Sequence, residues 1–219
     1  MIKQRFGKLS RSLLLTGACC AVLMSLQGCV ELMVGSAVVG TFATADRRTF
    51  GAQTEDKSIA VKGEIRLSKA LSDTAHVNVN SYNRHVLLTG EVADQQTKDK
   101  AENELKAVEG VVSVINEIQI SGNSNFSARS NDALITTKVK ASFVDTKDLY
   151  ANSYKVITEG SVVYLMGRVT QREGDRAADV ASSVSGVRKV VKVFEYITEE
   201  ELKAMLVQPA KSEKSESGN

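Results

Sequence analysis

Residues 130–140, SNDALITTKVK, open a unit that the chain has already used once. Asp132 and Ile135 stand 76 positions after Asp56 and Ile59 of the stretch EDKSIAVKGEI (55–65). VVYLMGRV (162–169) follows HVLLTGEV (85–92) at 77, so Gly167 matches Gly90 and Val169 matches Val92. SSVSGVRKV (182–190) follows KAVEGVVSV (106–114) at 76, with Gly186 on Gly110. One inserted and one deleted residue account for the changes of offset. Two copies of one small domain are the economical reading.

Each copy reads helix, strand, strand, helix, strand. In the second, Asp132 has the residue type of an N-cap, and Ile135, Val139 and Phe143 follow at helical spacing as a core stripe. YKVITEGSVVYLMGRV (154–169) is a hairpin broken at Glu159-Gly160. Thr170 and Glu173 form a capping box, Ala177, Ala181 and Val184 face inward, and Gly186 ends the helix at C′. VRKVVKVFEYI (187–197) is the closing strand.

The first copy runs in parallel: HVNVNSY (76–82), HVLLTGEV, a helix capped by Asp94 with Ala101, Leu105 and Val108 inside, Gly110, and VVSVINEIQI (111–120). Gly63 stands where the second copy has Val139. Gly costs a helix about 1 kcal/mol relative to Ala, so the first helix is expected to be shorter or less stable. Gly90 and Gly167, at strand ends, mark bulges or close backbone packing. With Gly110 and Gly186 they read as structural residues.

The order of elements, with V-x-L-x-G-x-V and a later V-x-G-V-x-x-V, resembles the BON domain. It is most specific at SNDALITTKVK, VYLMGRVT (163–170) and ADVASSVSGVRKV (178–190). The fold expected is α+β: two tandem BON-type domains (α-β-β-α-β), each a small mixed sheet covered by helices. Their bounds are 56–121 and 131–197, after a signal peptide (1–28) and an acylated N-terminus with linker (29–55), and before a short helix and tail (198–219).

The first residues carry an address. Lys3, Arg5, Lys8 and Arg11 precede an apolar run from Leu13 to Leu26, the make-up of a secretory signal peptide. The run is shorter than the roughly 20 residues that span a bilayer. It ends in VLMSLQGCVELM (22–33), where LQGC resembles the lipobox of bacterial lipoproteins: Leu26 at −3, Gly28 at −1 and Cys29 as the acylated new N-terminus. Cys19 and Cys20 have Thr16 and Gly17 at −3, where an aliphatic residue is wanted. Cleavage leaves Cys29 as the sole cysteine, so no disulfide framework or thiol metal site follows. It also leaves 24 basic and 26 acidic residues. The basic balance belongs to the discarded leader and is no sign of nucleic-acid binding. Val30 follows the cysteine, without the Asp that bacterial sorting reads as an inner-membrane signal. By resemblance the protein is anchored in the outer membrane and faces the periplasm.

A lipobox followed by two copies is similar to the dual-BON-domain outer-membrane lipoproteins of the DolP type. That resemblance implies a non-catalytic, palmitate-bearing protein that binds anionic phospholipid, such as phosphatidylglycerol or cardiolipin, through its second BON domain. It implies a part in envelope integrity, a link to cell division, and no cofactor, nucleic acid or small-molecule substrate.

The residues themselves lead the same way. G-x-S-x-G, G-x-G-x-x-G, P-loop and H-E-x-x-H motifs are absent. His76 and His85 read as surface strand or turn positions; no Cys joins them, and the acidic residues look scattered, so no metal site is expected. Copy one (56–120) holds 8 basic and 10 acidic residues; copy two (132–197) holds 10 and 8, which favours the second as partner of an anionic surface. On its first helix, Leu134, Lys138 and Ala141 share an arc flanking the core stripe, with Lys140 and Val144 on the other flank. Leu134 can enter the acyl boundary while the ammonium stays among phosphates. The lipid-binding residues expected by resemblance are Leu134, Lys138, Val139, Lys140, Ala141, Phe143 and Val144.

Two alternatives stay open. The helix could meet a protein groove instead, as an adaptor in outer-membrane biogenesis or the envelope stress response. Residues 30–45, VELMVGSAVVGTFATA, read most simply as a tether clearing the headgroups, and otherwise as a segment in the interface. DRRTFGAQTEDKS (46–58) is a polar connector, TEEELKAMLVQ (198–208) a short helix, and PAKSEKSESGN (209–219) a disordered tail by composition.

Overall fold

A computed structural model describes residues 46–72, 74–122 and 124–207; the signal peptide, Cys29 and the C-terminal tail lie outside the described residues. Copy one comprises α1 (Phe50–Ala70), β1 (His76–Tyr82), β2 (His85–Val92), α2 (Gln95–Lys106), β3 (Ser113–Asn116) and β4 (Gln119–Ile120). Copy two comprises α3 (Phe126–Asp145), β5 (Lys155–Glu159), β6 (Val162–Val169), α4 (Gln171–Ser182) and β7 (Lys189–Tyr196); α5 (Glu199–Val207) follows. In each copy an antiparallel hairpin is extended by a parallel closing strand, with β2 or β6 central. The single closing strand expected over 111–120 is broken: β3 and β4 both pair with β2, and Glu117 and Ile118 interrupt them.

Each sheet is covered on one face by its own two helices. Ile59 and Leu67 of α1 and Ala101 and Leu105 of α2 close over Val79, Val86, Leu88 and Val92. Ile135, Val139 and Phe143 of α3 and Ala177 and Ala181 of α4 close over Val156, Val163, Leu165 and Val169. Side chains alternate along a strand, so the remaining apolar residues of β2 and β6 point away from these helices. There they form a third cluster, with Tyr82 and Leu87 of one copy against Val162, Tyr164 and Met166 of the other. The result is helix, sheet, sheet, helix. It explains why VVYLMGRV has no polar alternation: a strand buried on both faces has no solvent side.

The seam between the sheets is apolar at its centre and polar at its ends. Asn78 donates to Glu159 (2.8 Å), Asn83 to Glu195 (2.5 Å) and Lys155 to the Ser81 carbonyl (3.3 Å). The connector adds a strap. Arg47 donates to both carboxylate oxygens of Glu173 (2.8 and 2.6 Å) and to the Arg168 carbonyl (2.9 Å) in copy two. Arg48 donates to Asp56 of copy one (2.7 Å), and its guanidinium lies 4.0 Å from the centre of the Tyr82 ring. Burial alone would weaken the ionised form of Glu173; its bonds to Arg47 and the Thr170 amide hold its pKa below the ordinary value.

Two expectations are corrected. Asp132 is not an N-cap. Helix α3 begins earlier, capped by Asn125, whose side chain accepts from the Ala128 amide (2.9 Å), just as Thr49 caps α1. Asp132 is instead buried within the helix and accepts from the amides of Gly160 and Ser161, both at 2.8 Å. Asp56 does the same for Asn83 (2.7 Å) and Arg84 (2.8 Å). Both turns have two central residues at positive φ, the type I′ hairpin geometry, and in each copy a helix carboxylate binds the exposed turn amides.

Nor does Gly63 shorten its helix, since α1 has 21 residues and α3 has 20. A Cβ on Gly63 would lie 2.5 Å from Leu105 Cδ1. In copy two the equivalent pair is Val139 and Ala181, both in the core. Small against large has become large against small, which conserves volume at the helix–helix contact. Gly90 is required by close approach as well as by its φ of +116°, because a Cβ there would lie 2.0 Å from the His76 carbonyl; at Gly167 the neighbour is the Ser153 carbonyl, at 2.5 Å.

Candidate membrane-contact surface on helix α3

The buried side of α3 is Asp132, Ile135, Val139 and Phe143. Phe143 is wedged edge-on against Tyr154 (5.1 Å between ring centres), which meets Phe194 in turn. A hydroxyl–hydroxyl bond of 2.7 Å between Thr136 and Thr158 ties the helix to β5. These contacts hold α3 by one side and leave the other to solvent.

The outer side carries Leu134 (60% exposed) and Val144 (72% exposed), with Lys138, Lys140 and Ala141 also exposed. Phe126, 80% exposed, extends the stripe at its N-terminal end. Phe126 and Val144 are 18 residues apart, about five turns, which puts them on one line along the helix. Of the seven residues expected in the site, five therefore share an exposed surface. Val139 and Phe143 do not: each is 0% exposed in the core of copy two, so they hold up the face from beneath. Phe126 was missed, because taking Asp132 as the cap cut off the turn that carries it.

Among the described residues, Lys138 and Lys140 take part in no ion pair; Asp132 is committed to the hairpin turn, and Asp145 stands exposed at the C-terminal end of the same face. Helix α1 shares the exposed aromatic, Phe50 (85% exposed) matching Phe126, and carries Ile65 against Ala141, but differs at other matching positions. Leu134, Lys140 and Val144 correspond to Ser58, Glu64 and Ser68, while Arg66 pairs with Glu104 (2.8 Å) and Lys62 with Glu109 (4.0 Å). Val61 and Ile65 of α1 are about half exposed, an apolar pair that sequence reasoning did not single out. No helix among the described residues is long and apolar enough to cross a membrane. Membrane contact through α3 would be contact at the surface.

His76 and His85 do not come together. They lie at opposite ends of the β1–β2 ladder, where His76 bonds Glu91 (2.8 Å) and His85 bonds Ser113 (2.7 Å). The acids are less scattered than they read, since Glu91 and Glu159 of different copies converge beside His76.

Comparisons with known proteins place these features in a group. The sequence profile of the BON domain matches residues 56–122 and 131–198. The outer membrane lipoprotein DolP of Haemophilus influenzae is 42% identical over 175 residues, covering 78% of this chain and 90% of that one. The 21 kDa hemolysin of Actinobacillus pleuropneumoniae is 35% identical over 154 residues, 69% of this chain and 79% of its own. Osmotically-inducible protein Y of Escherichia coli is 28% identical over 185 residues, 74% and 90% respectively.

Proposed function

Because the chain belongs to the BON-domain family, we propose that it is an outer-membrane lipoprotein, anchored through Cys29, whose second BON copy binds anionic phospholipid through the outer face of α3. The observation that carries this reading is the exposed line of Leu134, Ala141 and Val144 between unpaired Lys138 and Lys140. An apolar side chain enters the acyl boundary and each ammonium meets a phosphate, the arrangement of interfacial helices. Juxtamembrane cations contribute about 1 kcal/mol each against an anionic leaflet. Two lysines therefore give preference rather than strong affinity. The lipid anchor supplies residence at the surface, and the tether raises the local concentration of the domain there.

The protein acts by binding rather than by catalysis. Its role is to support outer-membrane integrity, with enrichment where the local lipid is most anionic, as at a division site. The BON assignment and the similarity to an outer membrane lipoprotein support the setting; the geometry of α3 supports the surface.

Vesicle flotation of residues 46–219 tests it. The expected result is flotation with vesicles containing phosphatidylglycerol or cardiolipin and not with zwitterionic vesicles, weakened by salt and abolished by Leu134→Glu. Absence of flotation by the folded parent would contradict the reading and leave a protein-binding adaptor in its place.

A further inference from the structure

At one end of the seam between the sheets, His76 of β1, Glu91 of β2 and Glu159 of β5 each offer one ligand atom, and these atoms lie within 4.8 Å of one another. We propose that the three residues form a site for a divalent transition cation that fastens copy one to copy two. The inference is independent of lipid binding.

This is not a surface patch of acids. Glu91 is 6% exposed and Glu159 9%, and an imidazole belongs to the set. His76 Nδ1 lies 2.8 Å from Glu91 Oε2. Among the described residues, Glu159 receives only neutral donors, the Asn78 amide (2.8 Å) and, at the limit of bonding distance, the Thr89 hydroxyl (3.5 Å). Two carboxylates so placed repel each other, and burial adds to the cost of their charge. A dication offsets both effects at once, whereas the single imidazole compensates at most one charge.

The remaining surroundings fit. Ser124, from the segment joining the copies, donates to Glu91 Oε2 (3.4 Å), so a hydroxyl outside the ligand set helps orient Glu91, as is usual for metal ligands. A cleft of about 270 Å³, lined among others by His76, Asn78, Arg129, Asp132 and Glu159, gives an entry path. Zinc bonds of about 2 Å place tetrahedral donors roughly 3.3 Å apart, a contraction that side-chain rotation provides. One nitrogen and two carboxylate donors suit zinc, manganese or iron better than calcium or magnesium, which favour all-oxygen sites. The ligands come from both copies, so an occupied site ties them together and raises stability by mass action.

The test uses the processed, acylated protein in detergent micelles, stripped with EDTA and titrated with zinc. Expected are one zinc per chain with micromolar or tighter affinity, a raised unfolding temperature, and at least tenfold weaker binding in Glu159→Gln, Glu91→Gln and His76→Gln, while His85→Gln binds as the parent does. Binding is expected to weaken at least tenfold from pH 7.5 to 5.5, as protons compete with the cation for its ligands; Asp132 and Arg129 face the same cleft. X-ray absorption of the zinc-loaded parent, which needs no variant to fold, is expected to show one imidazole with oxygen donors. Two imidazoles, no stoichiometric zinc, or zinc binding that survives all three substitutions in folded protein would each overturn the proposal.

Discussion

Helices α1 and α3 occupy equivalent places in the two copies, and each sends a buried aspartate to the turn of its own hairpin. Their inner sides are close to interchangeable, down to the compensated exchange of Gly63 and Leu105 for Val139 and Ala181. Their outer sides are not. On α1, Ser58, Glu64 and Ser68 stand beside paired cations, with Val61 and Ile65 about half exposed; on α3, Leu134 and Val144 stand beside lysines that make no ion pair among the described residues. A second difference lies upstream, where Arg48 reinforces Asp56 and no arginine reaches Asp132 among the described residues. Duplication has kept what folds the domain and released what faces solvent or partner, so function is to be sought where the copies differ.

The largest expected effect concerns the two aspartates. Asp56→Ala removes the acceptor of the Asn83 and Arg84 amides and of the Ser81 hydroxyl, and leaves the part-buried Arg48 with Asp46 as its only carboxylate partner among the described residues; it is expected to cost about 2–4 kcal/mol. Asp132→Ala strands two amides, at about 1–3 kcal/mol. Urea unfolding of both variants compares them, and equal losses would erase the distinction that Arg48 makes. Next comes the helix–helix exchange. Gly63→Val is expected to cost about 1–3 kcal/mol through overpacking against Leu105, and Leu105→Ala in the same chain, which restores the pairing of copy two, is expected to recover much of it. Additive losses would show that the two sites are independent.

The smallest effect is a matter of pH. The Glu159 pKa is raised in the folded state, so protonation favours folding, and the stability this group costs at neutral pH is regained as pH falls through its raised range. With metal chelated, Glu159→Gln is therefore expected to be at least as stable as the parent at pH 7, with the difference closing towards about pH 4. Asp56 and Glu173 have the opposite sign: their pKa values are lowered, and the stability they contribute is lost as pH falls below the usual carboxylate range. A Glu159→Gln variant clearly weaker at pH 7 would mean that its charge is compensated even without metal.

What was legible in the sequence was local. The Thr170–Glu173 capping box, the Asp94 cap and the hairpins follow from neighbours within a few residues, and all are present. The repeated aspartates were misread for a physical reason: a carboxylate that accepts backbone amides looks the same in sequence whether the amides belong to its own helix or to a turn 28 or 29 residues on. The true caps, Thr49 and Asn125, obey the same offset and were hidden in what read as linker. The sheet-to-sheet seam left a sign in the unbroken apolar runs of β2 and β6. The strap from Arg47 to Glu173, across 126 positions, and the meeting of His76, Glu91 and Glu159 left none. For the α3 surface, position was legible and burial was not, hence the removal of Val139 and Phe143.

The most direct measurement places an environment-sensitive fluorophore on single cysteines introduced at 134, 141 and 144 of α3 and at the matching 58, 65 and 68 of α1, in residues 46–219, which contain no other cysteine. On adding vesicles rich in phosphatidylglycerol, a blue shift with increased intensity is expected at the α3 positions and no change at the α1 positions. Equal shifts on both helices, or shifts confined to α1, would contradict the assignment of membrane contact to the second copy.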